Sequence, residues 1–176
     1  MLSKILIALV AVVAAFLAYV AYLPANGTIE RSAMLAAKPD AIFPHINTLK
    51  KWDGWSPWAK LDPNAKNTFE GPESGVGSVF HWDGNSDVGA GKMTVLESKP
   101  NEHVKIQLDF EKPMPGTSFA DFTLQPEGDG TRVTWSMSGE RPFWARAICV
   151  LMGADRMVGG MFEKGLTSLG GVASAK

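Results

Sequence analysis

From residue 78 to residue 137 the chain repeats one pattern, an alternating apolar–polar run followed by a short polar turn, and no other feature narrows the fold as far. SVFHW (78–82) runs into DGN, KMTVLES (92–98) into PNE, and ADFTLQ (120–125) into EGDG before TRVTWSM (131–137). The clearest run is VKIQLDF (104–110), where Val104, Ile106, Leu108 and Phe110 fall on one face and Lys105, Gln107 and Asp109 on the other. Successive strand residues point to opposite faces, so such alternation describes a sheet with one dry side. Turns this short join antiparallel neighbours, because a parallel pair needs a crossover of a dozen or more residues. The pattern therefore predicts an antiparallel meander whose apolar face has to be covered by other parts of the chain.

Two segments can supply that cover. TIERSAML (28–35) reads as a first strand, with Ile29, Ala33 and Leu35 on one face, and Pro39 suits the first turn of a short helix that buries Ile42, Phe43 and Ile46. At the other end Pro142 opens a long helical pattern in which Phe143, Ala147, Leu151, Ala154, Val158, Met161 and Phe162 recur at steps of three and four. Gly153, Gly159, Gly160 and Gly165 interrupt it, each costing about 1 kcal/mol relative to alanine. Close packing on the sheet explains such glycines, and so does space kept open for a ligand; packing is the expectation for most of them. The order of elements, with no parallel crossover, predicts an α+β domain in which a curved antiparallel sheet grips a C-terminal helix.

The N-terminus predicts a separate unit. No charged residue lies between Lys4 and Glu30, and residues 5–23 read ILIALVAVVAAFLAYVAYL. That is close to the roughly 20 apolar residues that span a bilayer core, with Tyr19 and Tyr22 at one end, where amphipathic rings favour the interface. A cleaved signal peptide is the alternative, but its apolar region usually runs about 7–15 residues before an A-x-A-like site. The run here is longer, and LPA (23–25) fits that site poorly. The expectation is a single-pass anchor over residues 1–25, with the membrane contacted through residues 5–23. Lys4 and the amino terminus held inside place the domain on the extracytoplasmic side.

WDGWSPW (52–58) raises a sharper question, since Trp52, Trp55 and Trp58 are spaced by three around Gly54 and Pro57. A helix with three residues per turn would eclipse them into one stripe. A short, distorted turn that aims the rings together is the expectation. The rings either plug the open end of the sheet or wall a cavity, with Trp52 the candidate anchor and Trp55 and Trp58 the candidates for a ligand.

Other chemistry is sparse. With 17 basic and 18 acidic residues the net charge is −1, from which neither a nucleic-acid nor an acidic-lipid footprint follows. His45, His81 and His103 are scattered and Cys149 is the sole cysteine, so neither a disulfide nor a metal site is expected, and no cofactor is called for. GVG (75–77) and GAG (89–91) do not open helices and read as turns and bulges, and no G-x-S-x-G is present. Glu97 is the best candidate for an inward-facing carboxylate. What remains is a dry face of large, adaptable side chains. Phe80, Trp82, Met93, Leu108 and Phe110 occupy its first strands, and Phe122, Trp135 and Met137 its last. Together with Trp55 and Trp58 they form the candidate ligand-binding set, of the mostly apolar kind that small-molecule pockets use.

The chain resembles the START-like (SRPBCC) superfamily, and within it the bacterial polyketide cyclase/dehydrase-like proteins. The resemblance runs from ERSAMLAAKPDAIF through INTLKKWDGWSPWAKLDP and GPESGVGSVFHWDGN to GTRVTWSMSG and DRMVGGMFEKGL. It departs at Lys38, where a small residue or proline is usual, and in carrying the anchor. It implies a helix-grip domain over residues 28–174 with a pocket for a small hydrophobic or amphipathic ligand, lipids included. No catalytic motif of the family carries over to a residue here. Ligand binding without catalysis is therefore the leading expectation. A cyclase or dehydratase and a protein-interaction module are the rivals.

Overall fold

The structure, a computed structural model, describes residues 2–175. An apolar helix, α1 (Leu2–Tyr22), leads into β1 (Asn26–Leu35), the short helix α2 (Pro39–Asn47) and two 3₁₀ turns, Leu49–Gly54 and Trp58–Lys60. Six strands follow: β2 (Lys66–Glu70), β3 (Val79–Asp83), β4 (Ala90–Lys99), β5 (His103–Lys112), β6 (Gly116–Glu127) and β7 (Gly130–Glu140). Two helices complete the chain, α3 (Phe143–Met152) and α4 (Ala154–Ser174). The seven strands make one antiparallel sheet in the order β1-β7-β6-β5-β4-β3-β2. The α+β helix-grip architecture expected from the alternation is the one observed.

The long hairpins assemble as read, and β1 joins the far end of the meander by pairing with β7 from Asn26↔Glu140 to Leu35↔Thr131. GAG (89–91) is a turn followed by a bulge, with a register shift between Ala90 and Gly91. β2 was not marked by alternation, because all five of its residues are exposed and an edge strand with no dry face leaves no periodic signal. Glu97 does not face inward. A second bulge between Val95 and Glu97 breaks the alternation there, and the Glu97 side chain is exposed.

The C-terminal helical pattern is two helices instead of one. Gly153 adopts φ 62, ψ 48, and its N–H bonds back to the Cys149 and Val150 carbonyls, which closes α3 with a left-handed cap. Phe143 and Leu151, read as part of a buried stripe, are exposed; α4 alone lies in the grip, burying Phe162, Leu166 and Leu169. Its first turn meets β1 through Arg31 and Asp155, while Ser174 at its last turn donates to the Ala36 carbonyl. α4 therefore runs along β1 from Arg31 past the end of the strand, with its start on the side nearer α1.

The core sits between the sheet and α2, the 3₁₀ turns and α4. Ile42, Phe43 and Ile46 of α2 are buried, as their spacing predicts. Burial is deepest where Val104, Ile106 and Phe122 lie, and it falls off toward the α1 end, where Leu108, Phe110 and Met137 are only half-buried.

Candidate functional site

Two aromatic groups line the concave face of the sheet. In the first, the Trp135 ring of β7 stacks on Phe162 of α4 with centroids 4.2 Å apart and planes 10° from parallel. Trp52, Trp55 and Trp58 meet Trp135 edge-on at 6.1, 5.6 and 5.8 Å, and Phe122 tilts against it at 4.8 Å. Edge-to-face contacts at these separations suit the ring quadrupoles and add to the area term. The second group runs along β2, β3 and β5, with Phe69 stacked on Phe80, Phe80 on Trp82, and Trp82 edge-on to Phe110. Gly91 is what admits the Trp82 ring, since a Cβ there would lie 2.8 Å from it.

The tryptophan segment is a pair of 3₁₀ turns, as its three-residue spacing predicts. Trp52 Nε1 donates to the Ile46 carbonyl and Trp55 Nε1 to the His45 carbonyl, each at 2.9 Å, so both indoles are bolted to α2. Trp55, like Trp52, is buried, while Trp58 is half-buried. Trp135 Nε1 is different. It is buried and has no hydrogen-bond partner among the described residues.

Of the ten residues expected to touch a ligand, Trp55, Met93, Phe122 and Trp135 are core residues. Trp58, Phe80, Trp82, Leu108 and Met137 are half-buried against them, and Phe110, also half-buried, meets Trp82 edge-on. The fold thus collects all ten on one face, but the open volume lies beside them. An open groove of about 660 Å³ runs between the second 3₁₀ turn and α4, bordered by Pro57, Lys60 and Leu61 on one side and Gly160, Met161 and Lys164 on the other. Trp55 stands at its wall.

Three of the glycines in the helical pattern now separate by role. A Cβ on Gly165 would lie 2.8 Å from the Trp135 ring and 3.2 Å from Pro57, so Gly165 serves close packing, whereas one on Gly159 would meet the tip of the Arg31 side chain. A Cβ on Gly160 would meet nothing within 4 Å, and this residue borders the groove. The sequence pointed to the aromatic floor and to Trp55 at the groove wall but not to the rest of the lining, because Lys60, Lys164 and Thr167 are ordinary surface residues until two distant segments meet. The Gly-Gly pair at 159–160 was the available signal.

Electrostatics is concentrated elsewhere. Arg31 donates to Asp155 and Glu163, each at 2.9 Å, which raises its own pKa and holds the Asp155 carboxyl below its usual range. Asp109 is pushed up by burial, but hydrogen bonds from Thr117 and Gln107 and the charge of Lys92 outweigh this and leave it lowered. Glu127 is lowered by its hydrogen bond from Arg132. Desolvation, with Lys51 nearby, lowers His45. Of these groups only Glu163 borders the groove, and its carboxylate there is held by Arg31. Among the described residues no cluster of His, Cys, Asp or Glu could hold a metal ion.

A curved antiparallel sheet closed by one long helix, with an aromatic floor and a groove at the helix edge, defines a helix-grip protein. The chain belongs to the polyketide cyclase / dehydrase and lipid transport family, whose model matches residues 26–173. Its fold is similar to that of protein CV1439 from Chromobacterium violaceum, at 16% identity and TM-score 0.59, covering 85% of this chain and 98% of that one. It is also similar to protein MLL2253 from Mesorhizobium loti, at 22% identity and TM-score 0.58, covering 83% and 96%. A third similar structure is Ara h 8.0201, at 13% identity and TM-score 0.56, covering 85% and 99%. No curated protein matches the chain in sequence.

Proposed function

We propose that this protein is a membrane-anchored binding domain that takes a small hydrophobic or amphipathic molecule into the groove between the second 3₁₀ turn and α4. The observation that carries this reading is Gly160, which leaves the helix edge open where the groove meets the aromatic floor. The lining supports an amphipathic ligand. Leu61, Met161 and Pro57 offer apolar contact, while Lys60 and Lys164 place two cations at the same groove for an anionic or polar head, the neighbouring Glu163 being already paired with Arg31. The Trp135 N–H is a buried donor near this floor whose pairing with a ligand acceptor would remove the penalty of an unmet hydrogen bond. Trp58, half-buried and edge-on to both Trp135 and Phe162, is the floor residue best placed to move aside.

Binding is favoured over a cyclase or dehydratase reaction by where the proton-holding groups lie. A general acid or base is tuned by its surroundings and must reach the substrate. Here Asp109 and Glu127, whose pKa values are displaced, sit in hydrogen bonds away from the groove, and Glu163, the one carboxylate at its edge, is tied up in an ion pair with Arg31.

The anchor reading rests on α1, which is 21 residues long with an 18-residue window of mean hydropathy 2.7. Its length is about 31 Å at 1.5 Å per residue, against a hydrocarbon core of roughly 30 Å. Val20 is its only buried residue, so α1 touches the domain at one end, unlike a helix of a soluble core. Lys4 at the opposite end favours a cytoplasmic N-terminus and an extracytoplasmic domain.

The test is native mass spectrometry of the detergent-released full chain from its own host. An adduct of lipid or other amphipathic mass, lost in Gly160→Leu, is the expected outcome. An adduct retained in that variant would move the site away from the groove. A turnover of polyketide-like substrates that survives the same substitution would favour the enzyme.

A further inference from the structure

Helix α3 is built unlike the rest of the domain. Its sequence, FWARAICVLM, holds one charge in ten residues, yet none of the ten is buried. Trp144 is 50% exposed and Leu151 73%, and Phe143, Ile148, Met152 and Met157 are exposed with them. Contiguous apolar surface of this kind marks an interaction site. Ten residues reach about 15 Å, half a bilayer core, so α3 is too short to cross one.

Its position indicates what covers it. α3 packs against α1, and the left-handed Gly153 turns it away from α4. Arg146 donates to the Leu23 carbonyl at the end of α1, and the Arg141 N–H donates to the Ala25 carbonyl at 2.7 Å. The two arginines therefore stand at the level where the anchor leaves the lipid core. Arg156 lies just beyond the Gly153 turn, and nearby Asp155 is already paired with Arg31. Tyr19 and Tyr22 of α1 sit at this level too. Aromatic rings and basic residues around an apolar helix suit the headgroup boundary of a bilayer with anionic lipid.

We propose that α3 lies in the membrane interface beside α1, forming a second, peripheral membrane contact that fixes the domain with the start of α4 against the lipid surface. This rests on the anchored reading of α1. One consequence concerns the groove. Gly160 is six residues along α4 from Ala154, about 9 Å at 1.5 Å per residue, so its lower end is held close to the headgroups. A lipid-like ligand would then have a short path between bilayer and groove.

The experiment is site-directed spin labelling of the full chain in phosphatidylcholine–phosphatidylglycerol nanodiscs, with Cys149→Ser as background. Labels go at Leu151→Cys and Met152→Cys on α3, at Val10→Cys in mid-anchor, and at Asp129→Cys in the β6–β7 turn at the far end of the sheet. The expected result is a ratio of oxygen to nickel-chelate collisions several-fold higher at 151 or 152 than at 129, approaching that at 10. A high ratio at 10 with water-like ratios at both α3 positions would overturn the proposal and leave the anchor standing. Water-like ratios at 10 as well would overturn both. Loss of collisions with both reagents at 151 and 152 would mean that protein covers α3, and would also overturn it.

Discussion

Trp135 of β7 and Phe162 of α4 lie face to face, 4.2 Å between centroids and 10° from parallel, and this contact joins the sheet to the helix it grips. Both side chains are almost fully buried, at 2% and 1% exposure. Every other ring of the first aromatic group touches one or both of them. We expect Trp135→Ala and Phe162→Ala each to cost about 3–5 kcal/mol, the usual range for deleting a core aromatic. Trp52→Ala and Trp55→Ala belong in the same range, because both indoles are buried and hydrogen-bonded to α2. Trp58→Ala should fall below it. Urea denaturation of the five variants checks the order, and a Trp58 loss equal to the others would make all three tryptophans of the segment equivalent anchors.

Gly165 permits that contact. In an exposed helix Gly→Ala stabilises by about 1 kcal/mol. Here the new Cβ would sit 2.8 Å from the Trp135 ring and 3.2 Å from Pro57. Overpacking of this kind typically costs about 1–3 kcal/mol. Gly165→Ala is therefore expected to lower the thermal midpoint, and an unchanged or higher midpoint would mean that α4 can shift freely on the sheet.

Gly160 predicts the opposite sign. A Cβ there meets nothing within 4 Å, so the helix-propensity gain of up to about 1 kcal/mol is unopposed. Gly160→Leu should keep or raise stability while filling the groove, and it should abolish uptake of an apolar fluorescent probe. Retained uptake in a variant of normal stability would place binding elsewhere.

Acid should loosen the link between β1 and α4. The hydrogen bond from Arg31 lowers the Asp155 pKa in the folded state, so the unfolded chain binds that proton more readily. The stabilisation is therefore complete above the ordinary carboxylate range and is lost as pH falls through the lowered value. Arg31→Ala should flatten the loss of stability measured between neutral pH and about pH 3. An acid limb identical to that of the parent protein would show the pair to be silent.

The N-terminal helix gives a direct check. Intact-mass analysis of the protein from the membrane fraction should show residues 2–22 present. A mature start near Ala25 or Asn26 would identify the segment as a cleaved signal, and the anchored reading would fall.

Much of the architecture was legible along the chain because alternation is a local consequence of one dry face. Val104 to Phe110 in β5 and Val133 to Met137 in β7 announced both their conformation and the side they would bury. Pro39 and the Ile42–Phe43–Ile46 spacing did the same for α2. The three-residue rhythm of the tryptophans predicted a tight turn. The length and hydropathy of α1 are properties of sequence alone.

Three features depended on segments that meet only in space. The helical period ran unbroken through Gly153, since periodicity registers apolar spacing and not which neighbour is available. Only the packed structure separates α4, with a sheet to cover, from α3, which has none. The exposed edge strand β2 carries no period because it buries no face. The division of the glycines, Gly165 against Trp135 and Gly160 against open space, required β7 and the second 3₁₀ turn to be set beside α4. Local chemistry thus determined the elements and the side each would bury. Long-range packing decided where volume was left over, because a groove is made by what two distant surfaces fail to fill.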